Sequence, residues 1–219
     1  MVSETLKDAP RLLARVARAY ARRLGQCGTT AKGVFWKDET WQQRRFQRML
    51  EAFDPTDACQ GGISINDLGC GYGAFFHCLS ELPVMTESSY IGYDITEEMV
   101  RACRVHIRDP RARFVRHMWA TEIADYSFAC GTFNLTGGAG DAEWRAYVEE
   151  SLRHLWGQTA KALAFNMLRI DEFERFDGLY YIDPEELTAF CRTLPEAQVI
   201  MIDERPMPDV TYFLRRTRD

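Results

Sequence analysis

The chain has 219 residues, a formal net charge of −5 at pH 7 and a pI near 5.5. Hydrophobic residues make up 46% and charged residues 27% of the sequence, which is typical of a globular domain with a sizeable core. Because the balance is acidic and the arginines are interleaved with acids, the composition indicates no nucleic-acid-binding surface. We expect one domain that spans residues 1–219.

The same composition predicts a cytoplasmic protein without a membrane segment. No apolar run approaches the roughly 20 residues that a membrane-spanning helix needs, and no charged start is followed by an apolar signal segment. The seven cysteines are scattered, form no C-x-x-C pair and lie apart from the four histidines. We therefore expect reduced thiols and no metal site.

The N-terminal quarter predicts two helices ahead of a sheet. Residues 10–24 carry a proline in the first turn and apolar side chains at helical spacing, after a frayed terminus at 1–9. Residues 25–32 interrupt this pattern, 33–36 form an aromatic loop, and 40–53 predict a second amphipathic helix. A glycine- and proline-containing linker at 54–62 leads into the sheet.

From residue 63 onward, apolar strands alternate with helical segments, which predicts a parallel, doubly wound sheet. Strands are expected at 63–68, 90–94, 113–117, 125–131, 162–167, 199–203 and 210–214. Helices are expected at 74–82, after Thr96, at 141–156 and from Pro184. The Pro-Met-Pro turn at 206–208 separates the last two strands, and no internal repeat is visible.

The stretch 63–94 contains the clearest motif of the chain. An apolar strand leads into Gly69-Cys70-Gly71-Tyr72-Gly73, an apolar helix follows, and a second strand ends at Asp94. Gly73 and Asp94 are 21 residues apart, the spacing at which a βαβ unit returns an acid to a bound ribose. The motif therefore predicts a pocket for a nucleotide-type cofactor.

Two cofactors compete for this pocket. Gly69, Gly71 and Ala74 fit the dinucleotide pattern G-x-G-x-x-G/A of NAD enzymes, whereas Gly69, Gly71 and Gly73 fit the G-x-G-x-G pattern of S-adenosylmethionine (SAM) enzymes. Asp67 favours SAM, because a carboxylate two residues before the first glycine repels a pyrophosphate and suits an ammonium group. A glycine turn that serves only strand–helix packing is the remaining interpretation.

The segment Asp67-Leu68-Gly69-Cys70-Gly71-Tyr72-Gly73, followed by Tyr93-Asp94-Ile95, resembles the first two motifs of the class I SAM-dependent methyltransferases. The resemblance covers about residues 63–203 in the order of elements. It implies an α/β, Rossmann-like doubly wound, mostly parallel seven-stranded sheet with an antiparallel C-terminal hairpin. A core at 63–219, a helical lid at 1–53 and SAM as cofactor are also implied. The methyl acceptor is left open.

Candidate cofactor-binding residues follow from the motif and the resemblance. They are Asp67, Gly69, Cys70, Gly71, Gly73, Asp94, Ile95, Met99, His117, Gly131, Phe35 and Trp36. By resemblance, Met99 and His117 fall where the family binds adenine, while Phe35 and Trp36, together with Tyr20, are lid candidates. Core packing is the alternative role for Met99 and the aromatic side chains, and a half-exposed loop position for His117.

Candidate catalytic residues are Asn134, Tyr180 and Tyr181. Open α/β sheets bind ligands beyond the carboxyl ends of their strands, and the fourth strand is expected to deliver Asn134 beside Gly69. The Asn134 amide offers both a donor and an acceptor, although the residue also fits a turn before two glycines. The tyrosine pair lies beside the expected exit of the fifth strand, and we expect one of the two in the core.

The reaction is less well defined by the sequence. No Asn/Asp-Pro-Pro-Tyr/Phe motif and no acceptor domain are present, which favours a small-molecule acceptor and an in-line displacement at the sulfonium of SAM. Residues 33–36, 131–134 and 180–181 also resemble azetidine-2-carboxylate synthases, which implies cyclisation of SAM itself with release of methylthioadenosine. A non-catalytic SAM sensor is a third alternative, and the oligomeric state, monomer or homodimer, stays open.

Overall fold

The computed structural model describes residues 4–172 and 174–217. Its strands are β1 Ser64–Leu68, β2 Ser89–Asp94, β3 Ala112–Arg116, β4 Ala124–Ala129, β5 Thr159–Leu168, β6 Ala197–Asp203 and β7 Asp209–Arg216. They form a seven-stranded sheet in the order β3-β2-β1-β4-β5-β7-β6. Strand β7 runs antiparallel to both of its neighbours, while β1 to β5 pair in parallel. The expected Rossmann-like sheet with an antiparallel terminal hairpin is confirmed.

The helices are α1 Glu4–Cys27, α2 Glu39–Leu50, α3 Pro55–Gln60, α4 Ala74–Leu79, α5 Glu97–His106, α6 Asp141–Gly157 and α7 Pro184–Cys191. Short 3-10 turns occupy Ala31–Val34 and Pro83–Met85. None of the helices in the described ranges combines the length and apolar content needed to cross a bilayer.

Two buried apolar clusters cover the two faces of the sheet. One contains residues of α1, α6 and α7, and the other contains residues of α2, α4 and α5. Along β5, Leu163 and Phe165 belong to the first cluster, whereas Ala162 and Ala164 belong to the second. This alternation is what a strand covered on both faces requires, and it explains the continuous apolar run in the sequence.

Two elements differ from the sequence-based expectation. Helix α1 begins six residues before Pro10 and continues through Gly25, because buried Ala9, Leu13 and Val16 keep its apolar face against the protein. It ends before Gly28, whose φ of +66° is left-handed. The expected linker contains α3, capped by the Asp54 side chain and too short to produce a periodic signal. Residues 1–3 of the expected frayed terminus lie outside the described residues.

Candidate active site

Two glycines of the turn after β1 lie where a side chain would clash with its surroundings. Gly69 and Gly73 have φ values of +77° and +85°, in the left-handed region. A Cβ on Gly69 would lie 2.7 Å from the Thr132 side chain, and one on Gly73 would lie 2.4 Å from Cδ1 of Ile107. The turn therefore packs directly against the exit of β4 on one side and against the end of α5 on the other.

Asp94, at the end of β2, holds this turn in place. One carboxylate oxygen accepts a hydrogen bond from the Gly71 amide at 2.9 Å, and the other accepts one from the Thr96 amide at 2.8 Å. Burial raises the pKa of Asp94, and these two amide donors oppose that effect by stabilising the ionised form. Since a carboxylate oxygen accepts about two hydrogen bonds, each retains capacity for a ligand hydroxyl.

Asp67 is the second carboxylate at the carboxyl edge of the sheet. Its side chain is buried and accepts a hydrogen bond from the Tyr90 hydroxyl. The pKa of Asp67 is raised to about 7. Burial is the main cause, the hydrogen bond from Tyr90 opposes it, and the nearby charge of Asp94 adds to it. Asp67 is therefore divided between its protonated and ionised forms at neutral pH, and a cation beside it would favour the ionised form.

A cavity of about 860 Å³, counted to its open mouth, lies in front of these two carboxylates. The N-terminal segment forms its roof through Leu13, Val16, Tyr20, Trp36, Gln42 and Phe46. The opposite wall consists of the glycine turn and the exits of β2, β3 and β4. Residues of α1, of α2 and of the segment between them thus lie over the carboxyl ends of the strands.

Most of the predicted cofactor residues line this cavity. They are Asp67, Gly69, Cys70, Gly71, Asp94, Ile95, His117, Gly131 and Trp36. Gly73 lies behind the turn, as the N-cap of α4. Met99 is fully buried away from the cavity, and Phe35 is 47% exposed with its ring 5.3 Å from that of Tyr20. For these two residues the structure supports packing roles, and Phe35 does not cover the cavity.

The three predicted catalytic residues do not line the cavity. The Tyr180 amide donates to the Asn134 carbonyl oxygen at 2.7 Å, which places these two residues side by side. Tyr180 belongs to the apolar core, while the Tyr181 hydroxyl accepts a hydrogen bond from the Phe176 amide near the surface. The side-chain oxygen Oδ1 of Asn134 is buried without a hydrogen-bond partner among the described residues. Asn134 is thus the member of this set with an unused acceptor.

Gln42 and Tyr72 are cavity residues that the sequence reasoning missed. Gln42 is 3% exposed, and its side-chain oxygen accepts a hydrogen bond from the Tyr72 hydroxyl at 3.1 Å. Its amide nitrogen has no protein partner within the described residues, so it is a free donor at the cavity wall. A polar side chain one turn before Phe46, on the inward face of α2, is the sequence signal that was available.

The side chains of the cavity wall are acidic or neutral. Asp67 and Asp94 are present, whereas no lysine or arginine of the described ranges lines the wall. Burial raises the pKa of the Cys130 thiol well above its ordinary range, so Cys130 is a neutral thiol and a weak nucleophile toward an alkylating ligand. No group of histidines, cysteines and acids among the described residues is arranged to hold a metal ion.

Comparison with known proteins agrees with this geometry. Residues 65–157 match the family model described as a methyltransferase domain. The chain is also 33% identical over 172 residues to a protein of Mycobacterium tuberculosis named "Putative methyltransferase Rv1506c". That alignment covers 77% of this chain and 98% of the relative.

Two solved structures share the fold at low sequence identity. Magnesium protoporphyrin IX methyltransferase from Synechocystis PCC 6803, with bound S-adenosylhomocysteine (SAH), has 12% identity and a TM-score of 0.66, over 98% of this chain and 100% of that one. Human N-acetylserotonin methyltransferase, in complex with SAM, has 16% identity and a TM-score of 0.63, over 96% of this chain and 60% of that one. With the motif at 67–73 and the relative in M. tuberculosis, the chain belongs to the class I SAM-dependent methyltransferase family.

Proposed function

We propose that this protein transfers the methyl group of SAM to a small-molecule acceptor inside the cavity described above. The observation that carries the proposal is the pairing of two buried carboxylates with a wall that, among residues 4–172 and 174–217, contains no lysine or arginine. Helices of the N-terminal segment form the roof over it. Such a wall favours a ligand with an ammonium and a sulfonium group over a phosphate-bearing one. Family membership makes SAM the ligand of that description.

The two carboxylates give SAM a defined orientation. Asp94 would accept hydrogen bonds from the ribose hydroxyls, and Asp67 would attract the methionine ammonium. The adenine would then lie toward Ile95, His117 and Met118, which line the same end of the cavity. The His117 Nδ1 lies 2.8 Å from the Trp119 carbonyl oxygen, and in the tautomer that donates there Nε2 would be an acceptor for an adenine amino group.

The acceptor would occupy the part of the cavity under α2. A nucleophile there would attack the methyl carbon, and the bond from sulfur to that carbon would break with its electron pair left on the thioether sulfur of SAH. The proton that the acceptor loses would pass to solvent. Such a displacement requires mainly in-line positioning and exclusion of water. The free amide donor of Gln42 would orient an acceptor oxygen, with Trp36 and Phe46 as apolar walls. The same cavity must hold both molecules, which supports a small acceptor.

A second candidate function is cyclisation of SAM to azetidine-2-carboxylate. In that reaction the neutral amine attacks Cγ of the same molecule, the bond from sulfur to Cγ breaks, and methylthioadenosine leaves with the electron pair. The unpartnered Oδ1 of Asn134, next to Tyr180, favours this candidate, because a side-chain rotation toward the cavity would supply an acceptor for the amine. Methyl transfer ranks first because Asn134 does not line the cavity in this structure.

The ribose assignment is tested with Asp94→Ala. Loss of the hydrogen bonds to the ribose and of the support for the Gly71 amide should weaken SAH binding by roughly 10- to 100-fold in calorimetric titration. Asp203→Ala, at the end of the edge strand β6 and outside the cavity, is the matched control and should leave affinity unchanged. Equal affinities for Asp94→Ala and the unmodified protein would remove Asp94 from the site.

The ammonium assignment is tested through protons released on binding. Free Asp67 has a pKa near 7, and a bound ammonium lowers it, so the complex holds fewer protons than the free protein below that pH. We expect release of nearly one proton per SAH at about pH 6, falling toward zero by about pH 8, and affinity that rises with pH over this interval. Calorimetry in two buffers with different ionisation enthalpies measures the number of protons released per SAH bound. Asp67→Asn should abolish the release; release that persists unchanged in Asp67→Asn would contradict the assignment.

The reaction is tested by identifying the products of SAM. Under methyl transfer, SAM incubated with the protein alone should stay intact, and SAH should form only when an acceptor is added. Methylthioadenosine above the spontaneous background, lost in Asn134→Ala and kept in the buried control Asn66→Ala, would contradict methyl transfer and establish cyclisation. SAM binding without either product, across a panel of neutral acceptors, would indicate a sensor.

A further inference from the structure

A chain of hydrogen bonds connects helix α2 of the roof to the exit of β4. Arg45 donates to both carboxylate oxygens of Asp209, the first residue of β7, at 2.8 and 2.6 Å. Asn166 of β5 donates its side-chain amide to the same carboxylate. The side-chain oxygen of Asn166 accepts from the Gly131 amide at 2.7 Å. We call these three side chains the Arg45–Asp209–Asn166 relay.

Trp36 closes this chain into a loop. The guanidinium carbon of Arg45 lies 4.4 Å from the centre of the Trp36 ring, in cation–π contact. The same ring lies against Gly131, where a Cβ would approach the Trp36 ring to 2.5 Å. Gly131 has a φ of +70°, so a side chain there would be strained as well as obstructed. Both ends of the relay therefore meet at Gly131, and both Trp36 and Gly131 line the cavity.

Stability alone is a poor explanation for the relay. The Arg45 and Asp209 side chains are 6% and 2% exposed, and burying an ion pair costs desolvation that well-packed apolar side chains would avoid. The hydrogen bonds of the relay instead fix the orientation of a peptide group. The hydrogen bond from the Gly131 amide to Asn166 fixes the plane of the Cys130–Gly131 peptide, and in a planar trans peptide the Cys130 carbonyl points away from Asn166.

We propose that the Arg45–Asp209–Asn166 relay positions the methionine end of SAM. By fixing one peptide plane, it aims the Cys130 carbonyl at the ammonium group, and by holding Trp36 against Gly131 it closes the cavity at the same place. Asp209 also neutralises the Arg45 guanidinium, so that no net positive charge stands behind Trp36 to repel a cationic ligand. The inference rests on the proposed use of SAM and adds positioning residues that do not themselves touch the ligand.

The test compares two ligands that differ at the methionine end. SAH carries the amino-acid group, whereas methylthioadenosine shares only the nucleoside and sulfur. In Asn166→Ala, the freed peptide should weaken SAH binding about 10-fold or more, while methylthioadenosine affinity changes less than about 3-fold. Asn66→Ala is the matched control, since Asn66 is also a fully buried strand asparagine but donates to the Glu122 carbonyl and does not line the cavity. It should affect neither ligand.

Arg45→Lys gives a milder second variant, because lysine keeps the charge but cannot hold both oxygens of Asp209 or stack on Trp36 in the same way. We expect the same selective loss for SAH, about 3- to 10-fold, in a protein whose thermal unfolding shows that it is folded. Equal weakening of both ligands, or of neither, in folded variants would overturn the relay as a positioning device. Failure of the unmodified protein to bind SAH would instead overturn the proposed function, so the two failures are distinguishable.

Discussion

The hydrogen bond from the Gly71 amide to the Asp94 carboxylate holds the glycine turn against the end of β2, and the shape of the cavity depends on it. The other oxygen of Asp94 accepts from the Thr96 amide and so fixes the start of α5. One carboxylate thus sets the relative positions of the ends of β1 and β2 and of the helix that follows β2. Burial disfavours the ionised form of Asp94 and so raises its pKa, and the two amide donors oppose this effect.

The roof of the cavity is joined to the sheet by charge as well as by packing. Arg45 and Asp209 are 164 residues apart in sequence, yet their ion pair is buried between α2 and the start of β7. The cavity wall itself carries carboxylates and no lysine or arginine among the described residues. The carboxylates of the wall therefore have no lysine or arginine beside them in the lining. SAM would supply two cationic groups there, its ammonium and its sulfonium.

The sequence predicted the parts of the molecule that local patterns determine. The alternation of strands and helices, the glycine turn and Asp94 were readable because a βαβ unit has a fixed spacing and glycine a special conformation. Asn166 is a polar residue in an otherwise apolar strand, but its partners Gly131 and Asp209 come from outside that strand, and no local pattern identifies them. Phe35 and Trp36 are adjacent in sequence, and the left-handed φ of +61° at Phe35 turns only Trp36 toward the cavity. Asn134 follows the carboxyl end of β4 but does not line the cavity.

The central claim is that the acidic wall selects a cationic, phosphate-free cofactor. Calorimetric titration of the unmodified protein with SAH and with NADH, under identical conditions near neutral pH, tests this claim most directly. The expected result is saturable binding of SAH and no binding of NADH, because Asp67 repels a pyrophosphate on the glycine turn. Tight binding of NADH, with none of SAH, would contradict the account.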